Sequence, residues 1–335
     1  MPIQVVYHFN NPWERDWIDQ FLAPHAEIEH IVDTERHIRD ENVIYVNPLR
    51  NKSDLDLLAT IGSKGRVGLF HSGDEHYSGY YQAYNYCNAV ARTYHAPHLA
   101  NERVRQVSLF TSKAFQEPIA DAAIAGRPHV WGFIGRLHVG GRDVMANTLS
   151  KEFDGFLSQS QQWGDTANMS QADYRSALEQ FIFAPCPAGN VMADTIRLYE
   201  ALQCGCIPIV YHRKHFNYFR RFYGDTPLIY VSDWADAPKI MRALLSDPHL
   251  LEEKAAACRE WWKATKSEMG LRYVAFLEDF KSGPKLDVER LVLRGALTRT
   301  VTYALNSDKP ARNLLRRLGH EVTVPALRRA PSIGW

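Results

Sequence analysis

The sequence lacks the features that mark several classes of protein. Its 39 Lys and Arg residues balance 38 Asp and Glu residues, and a formal net charge of +1 argues against a dedicated nucleic-acid binder. No apolar run approaches the roughly 20 residues that span a bilayer. The first residues show neither the basic region nor the apolar core of a signal peptide. With 45% hydrophobic and 23% charged residues, the sequence predicts a folded protein. The absence of a signal peptide and of a disulfide framework leads us to expect this protein in the cytoplasm.

Cysteine frameworks and metal-ligand spacings are also missing. The five cysteines are an odd number without regular spacing, which favours buried, reduced thiols. Cys204 and Cys206 have no second pair with which to form a zinc site. Residues 74–76 are contiguous ionisable residues whose side chains diverge, and the Asp-x-Asp sequence at 54–56 opens a predicted helix. We therefore expect neither a metal ion nor another cofactor.

Charge is distributed unevenly along the chain. Residues 281–335 hold 11 basic and 4 acidic side chains, a net charge of +7, which leaves −6 for residues 1–280. Apolar residues accompany the basic ones, so this helical tail is suited to an anionic membrane surface. Packing of the tail against the acidic body is the equal alternative. The basic residues are Lys281, Lys285, Arg290, Arg294, Arg299, Lys309, Arg312, Arg316, Arg317, Arg328 and Arg329.

Short apolar runs alternate with helical patterns, which is typical of an α/β protein with mainly parallel sheets. The predicted strands are 3–9, 43–47, 66–71, 89–94, 107–110, 130–137, 153–158, 181–185, 206–211 and 228–232. The predicted helices are 11–22, 54–62, 142–152, 170–180, 193–203, 237–246, 250–265 and 269–281.

A turn-forming stretch, Ala125–Pro128, separates two such alternations. It predicts an amino-terminal Rossmann-like domain over 1–126 and a second over 127–282, with the basic extension at 283–335. In this arrangement the two Rossmann-like domains face each other across a cleft at the carboxyl ends of their strands, where ligands tend to bind.

The most informative segment runs from Phe181 to Val210. It reads as a buried strand, a loop with two prolines and Gly189, and a helix that opens at Asp194-Thr195. A helix amino terminus presents unpaired N–H groups that suit a phosphate. Arg197 in the first turn can add a bidentate contact, and Glu200 can accept hydrogen bonds from a ribose. The alternatives are a simple helix cap and an ordinary surface pair.

This segment resembles the exostosin family of glycosyltransferases. The resemblance rests on CPAGNVMADTIRLYEALQCGCIPIV, is strong over 181–211 and extends loosely to Trp131–Arg136. Weaker similarity to the ribitol-phosphate xylosyltransferase branch covers Leu69–Glu75 and Ala91–Tyr94. The resemblance implies a GT-B fold and metal-independent, inverting transfer of a sugar, usually from a UDP-sugar to a polysaccharide or glycoconjugate. No carboxylate stands eight positions before Glu200, where retaining enzymes often carry one, which favours inversion.

The resemblance also implies the donor site. Arginines would bind the diphosphate and Glu200 the ribose, whereas Ala188 stands where the family often has a basic residue. Arg136 follows a predicted strand, as a phosphate ligand should, although an exposed loop arginine is the alternative. The predicted donor-binding residues are Arg136, Pro187, Gly189, Asp194, Thr195, Arg197 and Glu200.

Inverting transfer needs a base for the acceptor hydroxyl. The candidates are Asp74 and Glu75, then His71, because they follow the predicted strand 66–71, and a plain surface turn is the alternative. His8 and Arg92 are candidates for binding the acceptor or a phosphate, although Arg92 also fits a salt-bridged core position. Two other functions remain open. They are a fucosyltransferase-like enzyme that uses a GDP-sugar, and a non-catalytic protein that binds glycans or nucleotide-sugars.

Overall fold

The computed structural model describes most of the chain up to residue 288. The described residues are 2–7, 12–32, 42–49, 52–75, 79–94, 96, 99, 101–117, 123–160, 169–214, 216–279 and 283–288. His8 and the basic residues of the tail after 288 lie outside them. The chain divides into two compact units, Met1–Ser108 with the segment from Ser267 onward, and Leu109–Lys266. These units are defined by contacts between residues and differ from the domains predicted from the sequence. The predicted domain boundaries at 126 and 282 stay predictions.

The first unit is built on a six-stranded, all-parallel sheet. Its strand order is β2-β1-β3-β4-β5-β6. The elements are β1 (Ile3–Tyr7), α1 (Pro12–Phe21), β2 (Ile28–Ile31), β3 (Asn42–Asn47), α2 (Lys52–Lys64), β4 (Arg66–His71), β5 (Ala89–Arg92) and β6 (Val104–Gln106). Trp17 of α1 stacks on Phe70 of β4 and on Tyr273, at ring-centroid distances of 4.2 and 5.4 Å. These contacts pack α1 and Tyr273 against each other and against the sheet.

The second unit contains a five-stranded parallel sheet in the order β11-β10-β9-β7-β8. Its elements are β7 (His129–Ile134), α3 (Arg142–Ser150), β8 (Gly155–Ser158), α4 (Gln171–Leu178), β9 (Phe181–Cys186), α5 (Ile196–Gln203), β10 (Ile207–Tyr211), α6 (Tyr218–Tyr223), β11 (Ile229–Val231) and α7 (Ala237–Leu245). Helix α8 (Pro248–Asp279) begins in this unit and ends in the first. Strand β9 is buried at every position, as expected for a central strand covered on both faces.

Most predicted elements are confirmed, including the cap of α4. Ser170 accepts the Asp173 N–H at 3.1 Å and the Asp173 carboxylate accepts the Ser170 N–H, which forms a capping box. The strand predicted at 107–110 is wrong. Backbone groups of Ser108 bind the side chains of Tyr273 and Trp17 instead of a neighbouring strand. The two helices predicted at 250–265 and 269–281 are one helix, α8. The sequence pattern predicts no element at β2, β6 or α6.

The first residues of the tail pack on the first unit. The Gly283 carbonyl accepts hydrogen bonds from Arg66 and Asn88, each at 2.8 Å, and the Pro284 carbonyl accepts one from Arg103 at 2.8 Å. These partners stand at the amino-terminal ends of β4, β5 and β6. Residues 283–288 therefore lie at the edge opposite the carboxyl ends of the strands. None of the helices in the described ranges has the length and apolarity required to cross a bilayer.

We predict that Asn88→Ala lowers the free energy of unfolding by about 2–4 kcal/mol, because two buried groups lose their partners. Asn88 is 3% exposed, accepts the Val67 N–H at 3.0 Å and donates to the Gly283 carbonyl. Urea denaturation measures the change. Thr60→Ala, which removes a hydrogen bond on an exposed face of α2, is the control. A change in Asn88→Ala no larger than in the control would contradict the prediction.

Candidate active site

The strand order of the second sheet places a crevice at the carboxyl ends of β7 and β9. Strand β8 lies on one side of β7 and β9 on the other, so the connections run in opposite directions from this point. Ligands of open α/β sheets bind at such switch points. Two loops border the crevice. Loop 135–141 follows β7, and loop 187–195 follows β9. The predicted donor-binding residues lie on these loops or on α5, where Arg197 is in the first turn and Glu200 one turn further on.

The amino terminus of α5 carries a buried hydroxyl group, that of Thr195. Thr195 is its N-cap residue, but the Thr195 side chain makes no capping hydrogen bond. Its Oγ1 atom is buried and has no hydrogen-bond partner among the described residues. A buried hydroxyl without a partner costs free energy unless a ligand satisfies it. In the same loop, the Gly189 N–H donates to the Met192 carbonyl at 2.7 Å and closes a turn.

Arg197, Tyr174 and Glu200 form a chain of contacts beside this terminus. Arg197 Nη1 donates to the Tyr174 hydroxyl at 3.2 Å, and that hydroxyl donates to Glu200 Oε2 at 2.7 Å. Glu200 is buried, which raises the pKa of its carboxyl group although the charge of Arg197 opposes the change. The Arg197 guanidinium also lies over the Phe133 ring, 4.3 Å from its centroid. A buried Glu200 does not fit the alternative of an ordinary surface pair.

The remaining donor candidates occupy different surroundings. Asp194 is 2% exposed, and its carboxylate accepts hydrogen bonds from the hydroxyls of Tyr199 at 2.9 Å and Tyr218 at 3.1 Å. These contacts hold the start of α5 against its neighbours. Pro187 is buried and Arg136 is half-buried at the carboxyl end of β7.

The first unit encloses His71, at the end of β4. His71 is fully buried, with Nδ1 2.7 Å from the Tyr84 hydroxyl and Nε2 3.1 Å from the Pro48 carbonyl oxygen. A carbonyl only accepts, so Nε2 carries the proton and Nδ1 accepts from Tyr84. Burial lowers the pKa of His71 to about 4. The ring is therefore neutral at pH 7.

Asp74 forms a buried ion pair with Arg92. The two side chains are 3.0 Å apart and each is 2% exposed. Asp74 also accepts hydrogen bonds from the Tyr81 hydroxyl at 2.6 Å and the Gly79 N–H at 3.1 Å. Burial alone would raise the pKa of Asp74, but the charge of Arg92 and the hydrogen bonds from Tyr81 and Arg92 lower it below its usual value. Arg92 is therefore a salt-bridged core arginine, which is the alternative considered for it on sequence grounds.

Glu75 differs from its two neighbouring candidates because it is half-buried rather than enclosed. Three contributors to the candidate site, Tyr174, Phe133 and Arg142, carried no prediction. An aromatic residue in a helix or an apolar strand is typical of the hydrophobic core. No sequence signal therefore distinguishes Tyr174 or Phe133 as a site residue. Within the described ranges, no group of three His, Cys, Asp or Glu side chains is suited to hold a metal ion.

Comparisons with known proteins find one matching family model and several similar solved structures. Residues 115–280 match the family model described as the RXYLT1 C-terminal domain. An alpha1,3-fucosyltransferase structure is similar with a TM-score of 0.52 at 11% sequence identity, covering 83% of this chain and 90% of that chain. Anabaena HepE (Alr3699) with UDP and glucose gives 0.49 at 9% identity, covering 82% and 99%. T4 phage beta-glucosyltransferase gives 0.48 at 12% identity, covering 85% and 100%. No curated protein matches the sequence.

At such low identity the structural similarity defines the fold, which is the α/β architecture of GT-B glycosyltransferases with two Rossmann-like parallel sheets. The match to the RXYLT1 C-terminal domain family covers 115–280, just under half of the chain. The matched family model is not an exostosin model, so the exostosin resemblance stays a prediction.

We predict that His71 makes stability depend on pH. Its pKa is about 4 in the folded protein against 6.5 as the reference value, so between these values the unfolded chain binds more protons. The stabilisation is complete above pH 6.5 and is lost as the pH falls towards 4, by about 3 kcal/mol in total. Denaturant unfolding across this range measures the slope. We expect the slope to shrink in His71→Gln and to persist in His249→Gln, whose exposed ring is the control. Equal slopes in wild type and His71→Gln would contradict the assignment.

Proposed function

We propose that this protein is an inverting, metal-independent glycosyltransferase of the cytoplasm. It moves a hexosyl or pentosyl group from a nucleotide-sugar, most simply a UDP-sugar, to a polysaccharide or a lipid-linked glycan. The observation that carries the proposal is the gathering of Arg197, Thr195 and Glu200 at the switch point of a Rossmann-like sheet. Peripheral membrane contact through 283–335 stays a prediction.

The proposed donor chemistry follows from charge. Departure of a nucleoside diphosphate builds negative charge that a metal-free site has to offset with cations and oriented dipoles. Arg197 contacts a neutral hydroxyl and an aromatic ring and makes no ion pair with a carboxylate in the described ranges. Its charge is therefore available for a phosphate. The amino terminus of α5 and Arg136 supply the remaining positive charge and oriented dipoles for the diphosphate. Glu200, which accepts a hydrogen bond from Tyr174, is assigned to the ribose.

For the base we favour Glu75 over Asp74 and His71. A general base has to reach the acceptor hydroxyl and accept its proton. Asp74 and His71 are buried, with exposed fractions of 5% and 0%, whereas Glu75 is half-buried and therefore more accessible to an acceptor. We assign these two to holding the loop after β4 in place, with Glu75 as the group that acts on the acceptor.

Two alternatives make different predictions for ligand binding. A fucosyltransferase-like enzyme would bind GDP rather than UDP, and a non-catalytic protein would bind a nucleotide or glycan without turnover. Thermal shifts with UDP, GDP, CMP and TDP identify the nucleotide, because a ligand that binds only the folded state stabilises it. Nucleotide release in the presence of glycan acceptors then separates an enzyme from a binding protein. We expect release to survive EDTA and the product anomer to be opposite to that of the donor.

We predict that Arg197→Ala slows sugar transfer by a factor on the order of 10²–10³, as expected when one donor to a developing negative charge is removed. Steady-state nucleotide release measures the loss. Arg242→Ala in the same unit removes an exposed arginine that pairs with Glu152 and should retain the wild-type rate. An unchanged rate in Arg197→Ala would place this arginine outside the site.

We predict opposite results for two neighbouring carboxylates. Glu75→Gln should lower kcat on the order of 10²–10⁴-fold with little change in stability, because a base contributes about that much. Asp74→Asn should lower the free energy of unfolding by about 3–5 kcal/mol, because it leaves the buried charge of Arg92 without its partner. Glu102→Gln, at an exposed position of the same unit, is the control. If Glu75→Gln turns over at the wild-type rate, Glu75 is not the general base, and Asp74 and His71 become the candidates again.

A further inference from the structure

Arg142 connects the two loops that border the crevice of the second unit. It is the first residue of α3. Its Nε and Nη2 atoms donate to the Ala188 carbonyl at 3.4 and 3.3 Å, and Nη1 donates to the Arg136 carbonyl at 3.3 Å. One planar guanidinium therefore contacts a backbone carbonyl in each loop.

Gly140 brings the same two loops together by close backbone approach. It has a positive φ of +61°, and a Cβ atom placed on it would lie 2.6 Å from the Ala188 oxygen and 3.0 Å from the Gly189 oxygen. Real Cβ atoms do not approach a carbonyl oxygen so closely, so any other residue would push the loop after β9 away. Gly141 has a similar φ of +71° but no heavy atom within 4 Å of its Cβ position. Contact between the loops therefore depends on Gly140 and not on its neighbour.

Phe133 places this connection beside the proposed phosphate site. The Arg142 guanidinium carbon is 5.9 Å from the centroid of the Phe133 ring, and that of Arg197 is 4.3 Å from it. Two cations thus contact one ring at the carboxyl end of β7. A change in how Arg142 holds the loops would move Arg136 and Gly189 relative to Arg197.

We propose that Arg142 is a positioning residue that sets the spacing of the two loops for a nucleoside diphosphate. The inference rests on the proposed function and adds the residue that determines the shape of its diphosphate-binding part. A lysine at this position keeps the charge, but it has no planar fork with which to reach both carbonyls. Geometry rather than charge is therefore what the proposal requires of Arg142.

The test measures binding of UDP and GDP, and of uridine and guanosine, by calorimetry on the full chain. We expect Arg142→Lys to weaken the preferred nucleoside diphosphate about tenfold or more and to leave the matching nucleoside unchanged. Gly140→Ala disturbs the same contact independently and should do the same. Gly141→Ala shares the backbone strain without the collision, and Arg175→Lys alters an arginine that binds the Ala114 carbonyl elsewhere in the unit. Both should bind like wild type.

The outcomes separate the inference from the proposed function. If wild type binds a diphosphate and Arg142→Lys binds it equally well, charge alone is sufficient and the positioning role is overturned. If Gly140→Ala and Gly141→Ala weaken binding equally, backbone strain rather than loop contact is responsible, and the proposal is again overturned. If wild type binds neither UDP nor GDP, the proposed function fails for these nucleotides and the inference fails with it.

Discussion

In a sheet whose strands are all parallel, every strand ends at the same edge, and residues that are far apart in sequence meet there. Both sheets of this protein obey that constraint. In the second sheet the order β11-β10-β9-β7-β8 adds a switch point between β7 and β9, where ligands of open α/β sheets bind. Arg136 follows β7, and Thr195 and Arg197 follow β9, so parallel pairing of these two strands places the three residues at neighbouring strand ends.

The two units use arginine in opposite ways. In the first unit, Arg92 is fully enclosed, and the carboxylate of Asp74 compensates its charge at 3.0 Å. Such a pair contributes to one fixed arrangement of the loops, and removing either partner is costly. In the second unit, Arg197 contacts the neutral hydroxyl of Tyr174 and the face of Phe133. Its positive charge stays available, which is the condition that a diphosphate-binding group has to meet.

Strand-end residues were predictable from the sequence, and their surroundings were not. Apolar runs and turn residues were sufficient to predict β4, β9 and β10, and hence that His71 and the loop after Pro187 follow buried strands. Enclosure of Asp74 depends on β5 lying next to β4, which brings in Arg92 from 18 positions further along the chain. Because a short acidic turn has the same sequence whether it is exposed or enclosed, no local pattern distinguishes Asp74 from Glu75.

Contacts made to backbone carbonyls are even harder to predict, because a carbonyl carries no sequence signal. Arg142 reads as an ordinary helix-opening residue until the structure shows which oxygens it reaches. Its position bears on Ala188, the position at which the exostosin resemblance predicts a basic residue. The Ala188 side chain is 2% exposed, and its carbonyl faces the Arg142 guanidinium. A cation therefore stands at this loop although the loop does not supply it, because parallel pairing brings the neighbouring strand end within reach.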